Sequence, residues 1–307
     1  MSSDARRGNV AAVAAVVATF SAGTTLGALR FVSAEIDPLT ITVLRLVIGA
    51  AILLPLALAF ARGWPRGHDL WIVLAFGILF FGISQWLVSA SLAYTSAARG
   101  GILASTIPFM TLTMAASVRA ERMTWLKLFG VTVATVGVVL ALWQDASAIP
   151  GGWRGDLLMV AASVALSAYN VASRNIIRRY PPLIFVVCNM LPGAFILILI
   201  SLAAGAPLFE LQFSASGWLA ILYIGTAGSA VTYFLLLWAL RNTTPTRVAV
   251  ALTMNPVGAI VAAAVVLDET ITPGVWAGLA CVVAGILLTN WRLPAETSPN
   301  PDPSDAR

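Results

Sequence analysis

Uncharged polar and aromatic side chains recur in the middle of long apolar runs of this sequence. Amide, hydroxyl and ring groups of this kind bind small molecules through hydrogen bonds and stacking. Because they are costly to bury without partners, we expect them to face inward, where they either bond to a neighbouring helix or line a central pocket. The residues concerned are Gln85, Trp86, Thr106, Tyr169, Asn170, Tyr233 and Asn255. Collectively they favour a pocket for a small, weakly charged, amphipathic molecule.

The residue types that enzymes use for covalent or metal chemistry are sparse. The only histidine, His68, lies in a short basic stretch, and Cys188 and Cys281 lie far apart inside apolar runs. No Asp or Glu falls in the middle of such a run, and no GxxxxGK[ST] phosphate-binding loop is present. We therefore expect no catalytic residue, no metal and no cofactor, and a membrane-embedded enzyme is the disfavoured alternative.

Arg45 is the one ionisable residue placed inside an apolar run. It could snorkel to the membrane surface, brace the fold, or contact an anionic group of a substrate. Bracing is the favoured interpretation and the anionic contact is its alternative. A phosphorylated substrate would need several buried Lys or Arg side chains, and the sequence does not offer them.

The composition is that of a membrane protein. Of 307 residues, 59% are hydrophobic and 10% are charged, and the mean hydropathy is +0.91; a soluble domain has roughly a quarter charged residues. The net charge of +5 comes from basic residues in short segments between apolar runs, a pattern typical of membrane loops rather than of nucleic-acid binding.

Ten apolar runs are long enough to cross a bilayer as helices of about 20 residues. The predicted fold is therefore all-α and integral to the membrane, with a polar tail after residue 292 that we expect to be disordered. The predicted spans are 9 to 30, 39 to 61, 70 to 93, 99 to 118, 125 to 143, 156 to 176, 183 to 204, 217 to 240, 246 to 267 and 274 to 291.

Two stretches of the chain repeat each other at a constant offset of 148 residues. Arg99 corresponds to Arg247, Pro108 to Pro256, Glu121 to Glu269, Gly130 to Gly278 and Gly137 to Gly285. If each copy contains five spans, the second copy enters the membrane from the opposite side, as in the inverted repeats of many secondary transporters. The glycines are expected to allow close helix packing.

The distribution of basic residues predicts the orientation. With the N-terminus inside, fourteen Lys and Arg residues fall in inner segments, and only Arg30, Arg99 and Arg154 fall in outer ones. Both termini are therefore expected in the cytoplasm.

The repeated prolines and glutamates have separate predicted roles. Pro108 and Pro256 lie in the middle of spans, where each is either a static kink or a hinge for gating. Glu121 and Glu269 lie at span ends, so we expect them to pair with basic groups or helix N-termini rather than to carry protons. Substrate is then expected to follow its own gradient by alternating access.

The repeated segments resemble the EamA domain of the drug/metabolite transporter superfamily. The resemblance rests on a helix with a central proline, followed by Glu-Arg-Met-Thr at 121 to 124 or Glu-Thr-Ile-Thr at 269 to 272, and then by a helix with spaced glycines. Arg45 also resembles the second-helix arginine of the family. The resemblance covers nearly the whole chain and implies one repeat in residues 1–148 and a second in residues 149–292.

This resemblance implies a secondary transporter in the bacterial inner membrane, with neutral or aromatic amino acids as the expected exported substrates. Its partners would be a small-molecule substrate and the lipid bilayer. An uptake or efflux carrier for another metabolite or drug is the alternative, and a channel is a less favoured one. The oligomeric state stays open, and a monomer is compatible with the sequence.

Overall fold

The chain is helical throughout the part that the computed structural model describes, which is residues 3–118, 124–144, 152–177, 179–206, 208, 213–243 and 251–289. No strand occurs in these ranges. The predicted polar tail and Glu121 lie outside them. The helices are α1 (Ser3–Val32), α2 (Pro38–Phe60), α3 (His68–Gly77, Ile78–Ser84 and Gln85–Leu92 in succession), α4 (Ala97–Ala104 and Ile107–Ser117), α5 (Trp125–Gln144), α6 (Gly152–Ile177), α7 (Pro182–Ala203), α8 (Ala215–Gly225, Thr226–Val231 and Thr232–Asn242 in succession), α9 (Met254–Val266) and α10 (Pro273–Thr289).

Seven of these helices, α1 to α4 and α6 to α8, are long and apolar enough to cross a membrane. The apolar stretches described in α5, α9 and α10 are shorter. Large apolar side chains such as Phe60, Trp125 and Val265 are mostly exposed, which water would penalise and lipid does not. The structure therefore agrees with the predicted all-α membrane fold.

The helices begin and end close to the predicted positions, but α4 is interrupted at residues 105–106 and α9 begins later than predicted. The apolar run 246 to 267 predicts one continuous span, whereas α9 begins at Met254, after a turn at residues 252–253. Pro256 has no N–H to bond with the carbonyl group four residues earlier, and this loss favours a helix restart there.

Helices from the two halves of the chain pack against each other in reciprocal pairs. The contact of α1 with α9 is equivalent to that of α6 with α4, and the contact of α1 with α8 is equivalent to that of α6 with α3. The contact of α2 with α8 is equivalent to that of α7 with α3. At the centre, α2 packs against its equivalent α7, and α5 packs against its equivalent α10. The contacts in these pairs are thus equivalent in the two halves.

The contact between α5 and α10 depends on the repeated glycines. A Cβ atom on Gly278 would lie 2.7 Å from the Gly137 carbonyl oxygen, and one on Gly285 would lie 2.6 Å from the Gly130 carbonyl oxygen. Both distances are too short for a side chain, so the predicted close-packing role of these glycines is confirmed.

Candidate functional site

An aromatic cluster, formed by Phe76, Phe80, Phe81, Tyr169 and Tyr233, lies where α3, α6 and α8 meet. The Phe80 and Tyr169 rings stack with centroids 4.6 Å apart and an interplanar angle of 17°. The Tyr233 ring meets Phe81 edge-on at 4.9 Å. Such pairs add about 0.5 to 1.5 kcal/mol each beyond the area they bury. Two of the predicted contact residues, Tyr169 and Tyr233, therefore belong to one interior group.

Two phenylalanines of this cluster, Phe80 and Phe81, lie in a π-helical stretch, Ile78–Ser84, within α3. A second π-helical stretch, Thr226–Val231, lies in α8, and Ile78 and Thr226 are separated by the repeat offset of 148. Such wider turns are rare and are frequent at functional sites.

Side-chain hydroxyls bond to the backbone in both wider turns. Ser84 Oγ donates to the Leu79 carbonyl oxygen at 3.1 Å, and Thr232 Oγ1 donates to the Ala227 carbonyl oxygen at 2.7 Å. These two bonds also occupy equivalent positions of the repeat. The two copies of the repeat therefore share a π-helical turn and its side-chain hydrogen bond as well as sequence.

Gln85 begins the helical segment that follows the π-helical stretch of α3, and its side chain lies close enough to the Tyr233 hydroxyl for the two groups to interact. Gln85 is buried, with an exposed fraction of 7%. Trp86 follows it and points about 100° further around the helix, where its side chain is 38% exposed. Of this neighbouring pair, only Gln85 thus faces the aromatic cluster.

Arg45 reaches the same region from α2. Its guanidinium Nε donates to Ser229 Oγ at 3.2 Å, and Ser229 lies in the π-helical stretch of α8. The guanidinium also lies close enough to Tyr233 for the two side chains to interact electrostatically. Arg45 is 3% exposed, and its Nη1 atom is buried without a hydrogen-bond partner.

The other predicted contact residues lie elsewhere. Thr106 donates to the Leu103 carbonyl oxygen at 2.7 Å, and the exposed Asn170 donates to Thr111 Oγ1 at 3.4 Å. Asn255 is half-buried beside α1, where a Cβ on Gly23 would overlap the Asn255 carbonyl oxygen. Gln85, Tyr169, Tyr233 and Arg45 thus come together, and these three lie outside that group.

The two repeated prolines each follow a break in a helix. In α4 the break is at Ser105 and Thr106, directly before the segment that carries Pro108. The freed backbone is bonded locally, because the Leu103 carbonyl oxygen accepts from Thr106 N at 3.0 Å and the Leu252 carbonyl oxygen accepts from Asn255 N at 3.1 Å. Discontinuous helices of this kind are tolerated in membranes where protein or a cavity surrounds them.

One end of the bundle, here called the Arg99 end, is held by a buried polar network. Arg99 Nη2 pairs with the Asp156 carboxylate, which also accepts from Thr95 Oγ1 at 2.9 Å. Glu269 Oε1 accepts from the N–H of Ala97 at the start of α4 at 3.4 Å. Of the environments expected for Glu269, the structure shows the N-terminus of a helix.

The opposite end, here called the Asp69 end, has a more exposed network. Asp69 accepts from Arg179 at 3.2 Å and from the Tyr180 hydroxyl at 2.7 Å. The hydrogen bond to Asp69 raises the pKa of the Tyr180 hydroxyl. Because the Arg179 side chain is 61% exposed, this ion pair is worth only about 0 to 1 kcal/mol. Of the two ends, the Arg99 end is held more firmly.

A groove with a volume of about 520 Å³ opens between α1, α8 and α9. Its walls are mainly apolar, and Thr24 Oγ1 and the Tyr223 hydroxyl hydrogen-bond within it at 2.5 Å. None of the predicted contact residues lines this groove. The aromatic cluster itself is tightly packed, because Phe81 is 1% exposed and the neighbouring Ser229 is 0% exposed.

Sequence reasoning missed Phe80, Phe81 and Ser229. The repeat carried a signal for them, since Phe80 and Phe81 correspond to Gly228 and Ser229 at the 148-residue offset. Large residues in one copy opposite small residues in the other indicate a position where the two copies meet. The pairing of Arg99 with Asp156 was also missed.

The fold and the site define a helical membrane protein whose two halves enclose polar and aromatic side chains. Residues 9–143 and 153–291 both match the EamA-like transporter family, and the chain belongs to that family. It is therefore a membrane transporter of the drug/metabolite type, with a small-molecule substrate.

Several curated relatives match across most of their length. An uncharacterized transporter of Clostridium kluyveri is 26% identical, with 82% of this chain and 83% of that protein covered. The uncharacterized transporter YcxC of Bacillus subtilis is 25% identical, with 93% and 94% covered. A probable terminal-alkyne amino-acid exporter of Streptantibioticus cattleyicolor is 26% identical, with 77% and 80% covered.

A solved crystal structure of a protein shares the fold. Its TM-score is 0.67 at 21% sequence identity, and the match covers 91% of this chain and 96% of that one.

Proposed function

We propose that the protein is a secondary transporter that exports neutral amino acids, aromatic ones among them, through a central polar and aromatic pocket. The observation that carries the proposal is the convergence of Tyr169 and Tyr233, from α6 and α8, on the ring of Phe80 in α3, with the side chain of Gln85 beside Tyr233. Ring faces suit an apolar or aromatic side chain, and the amide and hydroxyl groups suit its polar end. The amino-acid exporter among the relatives supports the same substrate class.

The test is counterflow in proteoliposomes that contain the purified protein. Vesicles preloaded with unlabelled phenylalanine should accumulate labelled phenylalanine transiently and saturably, because a carrier exchanges substrate through one site. The variant Y169A should weaken this signal, whereas F195A should not, because Phe195 is 63% exposed on α7. Non-saturable flux would favour a channel, and counterflow of other metabolites alone would favour a carrier of different specificity.

The proposed pocket keeps all seven predicted contacts, with Gln85, Tyr169 and Tyr233 at its centre. Thr106 and Asn255 lie beside the helix breaks of α4 and α9, so a movement at those breaks would change their exposure. Trp86 and Asn170 are the outermost candidates. If alanine at every one of the seven left the kinetics unchanged, the pocket would lie elsewhere.

The proposed architecture is ten spanning helices in two inverted five-helix repeats, residues 1–148 and 149–292, in the bacterial inner membrane with both termini in the cytoplasm. The reciprocal helix contacts and the equivalent π-helical stretches support it.

Labelling of introduced cysteines tests the orientation. In a variant with Cys188 and Cys281 changed to alanine, an impermeant maleimide added to intact cells should label T270C and not R66C. The reverse pattern would invert the orientation.

The proposed mechanism is alternating access with no dedicated proton-carrying side chain. Among the described residues, carboxylates lie at helix ends or in loops, as Asp69, Asp156 and Glu269 do. An imposed pH gradient, without a substrate gradient or membrane potential, should therefore not drive accumulation. Accumulation that disappears in E121Q or E269Q would show proton coupling instead.

A further inference from the structure

The Arg45 guanidinium is buried in the protein interior without a partner for all of its donors. Among the described residues it makes one hydrogen bond, from Nε to the neutral Ser229 hydroxyl at 3.2 Å, while its buried Nη1 has no acceptor there. In the part of the chain that the structure describes, no carboxylate pairs with it. A guanidinium has five N–H donors and stays charged in proteins, so its charge is left uncompensated.

A bracing arginine has a different environment in this same protein. Arg30 Nη1 donates to the carbonyl oxygens of Leu92 at 2.9 Å and Ala93 at 3.2 Å, and thereby joins the end of α1 to the end of α3. Arg45 makes no such backbone contact. Because an unpaired charge inside a membrane protein is strongly destabilising, a purely structural role does not explain why a cation occupies this position.

The surroundings of Arg45 suit one class of ligand. Ser229 and Tyr233 lie one helical turn apart on α8, and Tyr233 contacts both Gln85 and the edge of Phe81. The cation therefore lies at the edge of the aromatic cluster. A molecule with an anionic group at one end and an apolar or aromatic body at the other matches this arrangement, and a carboxylate is the group that the arginine fork binds with two parallel hydrogen bonds.

We propose that Arg45 is the specificity-determining residue that binds the carboxylate of the substrate, with the body of the substrate on the aromatic cluster. The proposal rests on the proposed function and adds a cationic end to the pocket. Because Nη1 is buried, α2 and α8 must separate before the carboxylate can reach it. Molecules whose carboxylate is masked as an amide or ester should then bind more weakly than the free acids.

The test compares acids with their amides in the purified wild-type protein. Thermal stabilisation is measured for phenylalanine against phenylalaninamide, and for phenylacetate against phenylacetamide. Each acid should act at a concentration about tenfold lower than its amide, because a hydrogen bond to a charged group is strong. The phenylacetate pair has no amino group, so it tests the carboxylate contact even if amino-acid transport itself is absent.

Variants separate substrate binding from bracing. R45Q should bind the acid and the amide equally, and R45K, which keeps the charge without the fork, should retain a reduced preference for the acid. R30Q should lower the melting temperature but keep the wild-type preference. If R45Q does not fold, the wild-type comparison and R45K decide. Equal binding of acids and amides by the wild type, no binding of either acid, or an unchanged preference in R45Q would each overturn the proposal.

Discussion

Gln85 and Tyr233 occupy equivalent positions of the two repeats, 148 residues apart, and their side chains meet in the interior. Equivalent residues of two related halves can touch only near the axis that relates those halves. The contacts of α3 with α7 and of α8 with α2 are also equivalent to each other in the repeat. The centre of the protein is thus marked by a polar pair with an amide on one side and a phenol on the other.

We expect Y233F to weaken transport while leaving the fold largely intact. The change removes the hydroxyl that meets Gln85 but keeps the ring that packs against Phe81 at 4.9 Å. An uncharged hydrogen bond between membrane helices is worth about 1 kcal/mol, so kcat/KM should fall several-fold and the melting temperature should change little. Both are measurable on the purified, reconstituted protein.

W86F is the matched control for Y233F, because Trp86 lies next to Gln85 but is 38% exposed. It should leave kcat/KM within about twofold of wild type, since surface substitutions usually change little. If W86F lowered kcat/KM as much as Y233F does, the substrate would instead contact the face of α3 that carries Trp86.

We expect G278L to destabilise the protein strongly. A Cβ atom at this position would lie 2.7 Å from the Gly137 carbonyl oxygen and 2.8 Å from the Ala141 Cβ, so α5 and α10 would have to separate. Overpacking of this kind costs about 1 to 3 kcal/mol, occasionally more. A280L, at an exposed position of the same helix, should leave the melting temperature in detergent near the wild-type value. Equal melting temperatures for the two variants would contradict the close contact.

The sequence predicts the positions of the helices and the close packing at the repeated glycines, but neither which helices meet there nor the site. Helix positions follow from runs of about 20 apolar residues, and Gly137 and Gly278 stand out because the repeat preserves them. The repeat also makes Gln85 equivalent to Tyr233, yet equivalence does not imply contact, which depends on where the axis lies. No local pattern of residues indicates that Ile78–Ser84 adopts a π-helical turn.

The partner of Arg99 could not be predicted from the sequence either. Arg99 and Asp156 are distant in the chain, and only the packing of α4 against α6 brings them together. Arg45 could be recognised as unusual from its apolar context, but bracing was the favoured interpretation. In the part of the chain that the structure describes, its hydrogen-bond partner is the neutral Ser229, and this observation underlies the proposed carboxylate contact.

We expect D156N to loosen the Arg99 end of the bundle. Arg99 is 4% exposed and Asp156 is 14% exposed, and breaking a buried ion pair costs about 3 kcal/mol. Backbone amides near the starts of α4 and α6 should therefore exchange hydrogen faster than in the wild type. Hydrogen exchange followed by mass spectrometry measures this directly.

D69N provides the comparison at the Asp69 end. Its partner Arg179 is 61% exposed, so the loss should stay within about 1 kcal/mol. Stronger exchange in D69N than in D156N would reverse the assignment of the firmer end.

The repeated prolines are the last testable feature. Pro108 and Pro256 each follow a helix break, and each lacks the N–H that would bond to the carbonyl group of Ala104 or Leu252. If bending at these breaks accompanies transport, the double variant P108A/P256A should lower kcat while KM stays near the wild-type value, because alanine permits a continuous and stiffer helix. Initial rates of counterflow at several substrate concentrations separate the two constants.

P55A is the control, since Pro55 lies inside the continuous helix α2 at an exposed position and precedes no break. We expect kcat to fall roughly tenfold in the double variant and to stay unchanged in P55A. Similar rates in the wild type, the double variant and P55A would show that the prolines are static kinks. The hinge would then lie in another element, such as the π-helical stretches of α3 and α8.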